Sequence, residues 1–366
     1  MSPVLTIRAG PRALERLRSE GLDPAAVAVI PGAAGGPKGL GIAGLDRAIF
    51  GEFLPSAPRV RHLIGASIGA WRFAAACCRD ATARLAAFAD AYVLQTYPKG
   101  ANASYVSAAA RDMLGALFAG REAEILSHPH YRLHVLAVRG RWPLVRDSSF
   151  HTPFGFALAA LANAAGRRHL ARFIERTIFV DPREGPPLAP EGTLEVPKGP
   201  PVRFDAFHTH YVTLDASNLL AALLASASIP LVLEGVRDIA SAPAGVYWDG
   251  GIVDYHLHLP YHGGGGIVLY PHFTDHVVPG WLDKAMPWRR ARGDWLQDVV
   301  LVSPSREYLA SLPHGRLPDR RDFRRFLGDD AGRMASWRRS IDESARLGEA
   351  FLRFARDPST VPLLPL

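Results

Sequence analysis

Lysine is nearly absent from this basic chain. Its cationic residues include only four lysines (Lys38, Lys99, Lys198 and Lys284) against 38 arginines, with a formal net charge of +7. Such a bias reads first as genome composition, and a basic surface alone names no partner. Zinc-finger spacings, basic runs interleaved with aromatics and RNP-like segments are all missing, so no nucleic-acid partner is expected. Peripheral contact with an anionic membrane surface fits the charge. Cysteine is equally scarce: Cys77 and Cys78 are adjacent. Neighbours in one helix cannot staple distant segments, so the fold is expected to do without a disulfide and a cytoplasmic, reducing location follows. Long apolar runs are missing too. Arg8, Arg12, Glu15, Arg16 and Arg18 break up the amino-terminal stretch, which argues against a signal peptide. The longest apolar run, Leu219 to Val236, is interrupted by Ser226, Ser228, Pro230 and Glu234, so no transmembrane segment is expected.

What remains is an ordinary globular composition, 48% hydrophobic and 21% charged over 366 residues, enough to bury a sizeable core. A short amphipathic helix is predicted at Pro11–Ser19, then a buried strand at Val27–Ile30 that ends in the glycine-rich segment Pro31–Gly39. A helix carrying Leu40, Ile42, Leu45 and Ile49 on its apolar side runs to about Phe50. A second strand, Val60–Ile64, leads directly into Gly65-Ala66-Ser67-Ile68-Gly69, and Trp71–Arg79 reads as the helix beyond. Strand, glycine loop, helix, strand, tight turn, helix is the pattern of a parallel α/β sheet. Further strands are expected at Arg132–Val138, Thr177–Val180, Tyr211–Leu214, Val246–Trp248, Ile267–Tyr270 and Val299–Val302. Helices are expected at Pro153–Phe173 and Ser217–Ser226, the second stopped by Pro230. Residues 183–202, rich in proline and glycine, read as an irregular excursion or flap.

From about Ser305 the character changes. Met334, Trp337, Ile341, Ala345, Gly348 and Phe351 recur at spacings of three and four among arginines. That stripe suits a helical extension, residues 305–366, packed on a main domain of residues 1–304; a helix lying on a lipid surface is the alternative.

Three segments carry chemistry. Gly65-Ala66-Ser67-Ile68-Gly69 fits G-x-S-x-G, in which side chains two before and two after the serine would collide in a strained strand-to-helix turn. The plain alternative is a serine that caps a helix. In Gly35-Gly36-Pro37-Lys38-Gly39, consecutive glycines bring backbone N–H groups close to an oxyanion, and the following helix start favours negative charge. A nucleotide phosphate loop needs Gly-Lys-Ser/Thr, whereas here Pro37 precedes the lysine and Gly39 follows it. Trp248-Asp249-Gly250-Gly251 puts a carboxylate at a strand end, where it reaches a cleft at the C-terminal edge of a sheet.

Together these segments, in this order, resemble the patatin-like phospholipase family, with Ala225-Ser226-Ala227-Ser228-Ile229-Pro230 as a fourth matching stretch. The resemblance covers roughly residues 25–255. It implies a three-layer α/β/α fold with a mainly parallel central sheet, and a lipid acyl-ester hydrolase of phospholipase A or lysophospholipase type. In that reading Ser67 attacks an acyl carbonyl, Asp249 takes its proton, and Gly35 and Gly36 hold the oxyanion with Lys38 beside them. Gly39, Gly65, Gly69, Gly250 and Gly251 support the motifs. The chain departs from the family pattern at Ala34, which replaces a frequent glycine, and at Lys38, which replaces the usual arginine. A Ser-His-Asp esterase drawing on His256, His258, His262, His272 or His276 is the enzymatic rival, and a non-enzymatic lipid- or partner-binding protein is the second. Asp254, His256 and His258 share spacing compatible with one strand face, yet without a further ligand cluster neither a metal nor a cofactor is expected.

Overall fold

The computed structural model describes residues 3–185, 187–188, 204–262 and 264–366, so most of the excursion expected at 183–202 lies outside the described residues. Among the described residues eleven strands form one sheet: β1 (Leu5–Ala9), β2 (Val27–Gly32), β3 (Arg61–Ala66), β4 (Tyr131–Gly140), β5 (Ile174–Val180), β6 (Thr209–Thr213), β7 (Val236–Arg237), β8 (Val246–Asp249), β9 (Ile267–Pro271), β10 (Val299–Pro304) and β11 (Leu363–Pro365). The main order is β11-β1-β10-β9-β2-β3-β4-β5-β6, and β7 and β8 form a ribbon attached to β4. The middle strands β10, β9, β2, β3 and β4 run parallel. Antiparallel pairs flank them at β1–β10 and β4–β5. Every residue of β2 and β10 is buried. Continuous runs such as Val27-Ala28-Val29-Ile30 are what a strand needs when helices cover both sheet faces. The molecule is a three-layer α/β/α fold.

Each strand expected from the sequence is present, with shifted ends. Strand β1 and the helices Ala81–Val93 and Ala103–Phe118 are additions to that reading. Both helices carry capping signals, since Asp80 Oδ1 accepts from the Ala83 N–H (3.0 Å) and Asn102 Oδ1 from the Tyr105 N–H (2.9 Å). The single helix expected at Pro153–Phe173 is two, His151–Ala165 and Arg167–Leu170, parted at Gly166. The C-terminal stripe likewise spans two helices, Asp330–Glu343 and Ala345–Arg356, on either side of Ser344.

Residues 305–366 are built into the main layer rather than merely resting on it. Strand β11 pairs in parallel with β1 and extends the sheet. The buried Ser344 Oγ accepts from the Gly44 N–H at 2.8 Å. A methyl group on Gly44 would run into the Ser344 carbonyl, so the two backbones touch only because residue 44 is glycine. Leu347, Phe351 and Phe354 are fully buried, each stabilising the junction by about 1.5–3 kcal/mol. Among the described residues no helix is long and apolar enough to cross a membrane.

Candidate active site

The register of β4 brings two distant segments together. Along one edge β4 pairs in parallel with β3, up to Ala66 opposite Leu136. The next position, Ala137, lies opposite Asp249 of the antiparallel β8. Strand β5 occupies the other edge of β4, so β3 and β8 meet end to end on one edge. Ser67 is the first residue off β3 and Asp249 the last of β8, and their side chains converge there.

Ser67 Oγ donates to Asp249 Oδ2 at 2.9 Å, and both residues are buried. Ser67 has φ 54° and ψ −129°, in the left-handed region that costs a non-glycine residue about 1–3 kcal/mol. Two backbone contacts hold it there. A side chain on Gly65 would collide with the backbone of Gly69 and Ala70, and one on Gly69 with the Gly32 carbonyl at the end of β2. The elbow is therefore wedged between two strand ends. The Ala225–Pro230 stretch fixes both partners. Ser226 Oγ accepts from the Ser67 N–H at 2.8 Å and donates to the Leu136 carbonyl at 2.5 Å. The Asp249 N–H donates to the Ser228 carbonyl at 2.9 Å.

Asp249 Oδ1 accepts from the Gly251 N–H at 2.7 Å. Gly250 and Gly251 leave no room for side chains, the first against the Leu136 carbonyl and the second against the Ala34 methyl. Burial pushes the Asp249 carboxyl above the usual carboxylate range, against the opposing pull of Arg320, the Gly251 N–H, the Ser67 hydroxyl and Lys284. A carboxylate that takes up protons more readily suits a general base.

The expected oxyanion loop lies beside Ser67. Gly36 lines the same cavity, with φ 56°, and among the described residues the N–H groups of Gly35 and Gly36 have no hydrogen-bond acceptor. Gly35 packs against the Phe273 ring. Ile68 also lines the cavity, and as the first residue of the elbow helix Ile68–Ala76 its N–H has no acceptor within the helix. Gly39 fits against Ile68 and Arg72. The buried Arg72–Asp46 pair, with Nε to Oδ2 at 2.6 Å, ties the elbow helix to the segment following the loop. Lys38 is turned elsewhere: its ammonium lies 4.0 Å from Asp319 and 5.2 Å from the centre of the Phe273 ring, and it does not line the cavity.

The cavity above Ser67 measures about 610 Å³. Its walls come from the elbow helix through Trp71, from the two unforeseen helices through Tyr92, Val106 and Ala110, from Ile229 and Leu233, and from the C-terminal segment through Arg320, Phe323 and Phe326. None of the five late histidines lines it. Asp254 is occupied by Arg176 through both oxygens (2.7 and 2.9 Å), and His256 Nδ1 accepts from the Val278 N–H. No cluster of three histidine, cysteine or acidic groups suited to a metal occurs among the described residues.

Arg320, Ile68 and the specific task of Ser226 escape the sequence reading. Ser226 belongs to a stretch that sequence singles out, but Arg320 sits in a run of arginines (Arg316, Arg320, Arg321, Arg324, Arg325) with no local mark. A buried serine hydroxyl on a carboxylate, unpaired N–H groups at its side and an apolar cavity above it can together bind an acyl group, take the serine proton and stabilise a tetrahedral oxyanion. No family model, no curated protein and no solved structure matches the chain.

Proposed function

We propose that this protein is a serine acyl-ester hydrolase of the patatin-like type, acting on fatty-acyl esters through a Ser67–Asp249 dyad. The observation that carries the reading is the 2.9 Å Ser67–Asp249 hydrogen bond at the base of a 610 Å³ apolar cavity. Asp249 takes the hydroxyl proton as Ser67 Oγ attacks the ester carbonyl. The oxyanion then faces the N–H groups of Gly36 and Ile68, with Gly35 adjacent. The leaving alcohol takes the proton back from Asp249, and water repeats the cycle on the acyl-serine.

The acyl chain fits the apolar part of the cavity, whose rim carries the exposed Val232 and Leu327 together with Lys99 and Arg324. Apolar side chains among cations suit peripheral contact with an anionic lipid surface. The test is hydrolysis of a chromogenic fatty-acyl ester. Ser67→Ala removes the nucleophile and lowers kcat by about 10⁴-fold or more while the circular dichroism of the fold persists. Full activity in that variant overturns the reading.

A further inference from the structure

Arg320 is the half-buried cation on the cavity wall, where Lys99 and Arg324 are exposed, and among the described residues it makes no ion pair. A Cβ placed on Gly36 would sit 2.9 Å from its Nε, so the guanidinium lies directly over the oxyanion loop. It lines the cavity with Ser67 and Gly36. Among the described residues its side chain makes no ion pair or hydrogen bond with an acid. Of the nearby acids, Asp319 is engaged by Lys38 (4.0 Å) and Arg321 (3.4 Å) and Asp330 by Arg333 (3.3 Å), while Asp249 is hydrogen-bonded by Ser67 and Gly251 and feels Arg320 only through space. Other arginines of the same run are paired or outside, since Arg316 binds Asp322 while Arg324 and Arg325 are exposed.

The surroundings add positive field. Lys284 stacks over Tyr255 at 4.4 Å. Burial first, then repulsion from Lys38 and Arg320, pushes its ammonium down to about 8. Of the charged groups lining the cavity, the cations Lys99, Arg320 and Arg324 outnumber the acid Asp330, which Arg333 engages, and such a positive excess attracts an incoming anion. A guanidinium offers planar, paired donors suited to a phosphate or carboxylate.

We infer that Arg320 is a specificity-determining residue: it binds an anionic group, phosphate or carboxylate, carried by the substrate within a few atoms of the scissile ester. The inference rests on the hydrolase reading of the same site, and names the substrate class as anionic acyl esters. Acyl chain and anion take opposite ends of the cavity, with the ester carbonyl between them at Ser67. The C-terminal segment, which the sheet makes inseparable from the main domain, thereby supplies the headgroup side of the site.

Three esters with the same acyl chain test it: those of glycerol, glycerol 3-phosphate and glycerate. The full-length protein is expected to prefer both anionic esters in kcat/KM, and Arg320→Gln to cut that preference by about tenfold to a hundredfold, the range of one charged hydrogen bond. Arg320→Lys restores part of it. The phosphate and glycerate arms report which anion fits better. Binding of the same three esters to Ser67→Ala, followed by tryptophan fluorescence, separates the two claims. If wild type cleaves none of them but Ser67→Ala still binds the anionic esters more tightly, the hydrolase reading falls and the role of Arg320 stands. If cleavage proceeds with no preference in rate or affinity, or if Arg320→Gln leaves the preference unchanged, the role of Arg320 is overturned.

Discussion

The elbow at residues 65–69 and the C-terminal turn at residues 316–325 face each other across one cavity, and they reach it by opposite routes. The elbow is specified locally. Gly65 and Gly69 are needed because backbone occupies the space their side chains would fill, and the turn they permit presents Ser67 to the cavity. The C-terminal turn owes its place to contacts far away in sequence: β11 on β1, Ser344 on Gly44, and Leu347, Phe351 and Phe354 in the core. A local geometric demand leaves a motif in the sequence. A demand met by the whole fold leaves none, even when it delivers a side chain to the same site.

The largest effect expected on this contrast comes from the base. Asp249→Asn lowers kcat by about 10²–10⁴-fold, the range for a positioned general base, as a stopped or continuous ester assay will measure. Stability moves the other way. A carboxyl whose folded pKa lies above its unfolded value holds its proton more tightly when folded, so its ionisation at neutral pH disfavours the fold. Asp249→Asn removes that cost, and its Tm is expected to equal or exceed that of wild type. A lower Tm would show that Asp249 is mainly structural.

Gly69→Ala sharpens the local side. The added methyl meets the Gly32 carbonyl, and the strain costs about 1–3 kcal/mol, read as a lowered midpoint in chemical denaturation with loss of activity. An unchanged midpoint breaks the claim that the elbow is wedged against β2.

The smallest effect links the two regions. In the proposed dyad Asp249 must be ionised to act, so kcat/KM is expected to fall as pH drops through its raised pKa, with the acid limb above the ordinary aspartate value near 4. Arg320 is the foremost charge pulling that pKa down. Arg320→Gln is therefore expected to move the acid limb to higher pH. A limb that stays put in a pH–rate profile means that Arg320 does not act on Asp249.

These contrasts explain how much was legible beforehand. The parallel core was, because Val27–Ile30, Val299–Val302 and the Val135–Val138 part of the expected Arg132–Val138 strand are apolar runs. Ser67, Asp249 and the glycines stood out because each sits in a turn with a steric requirement. The walls of the cavity did not. Tyr92, Val106 and Ala110 belong to alanine-rich helices whose apolar positions look like any core stripe. Arg320 differs from Arg316 and Arg321 only in that Asp322 and Asp319 are already engaged, which the packing alone decides. Lys38 looked equivalent to a site cation by its position in the loop, yet Asp319 and Phe273 draw it aside.

The most direct measurement is reaction of the folded, full-length protein with a fluorophosphonate probe, followed by peptide mapping of the adduct. A single covalent adduct on Ser67 is expected, with labelling slowed in Asp249→Asn and abolished in Ser67→Ala. An unlabelled protein, or an adduct on another serine with Ser67 left free, would contradict it.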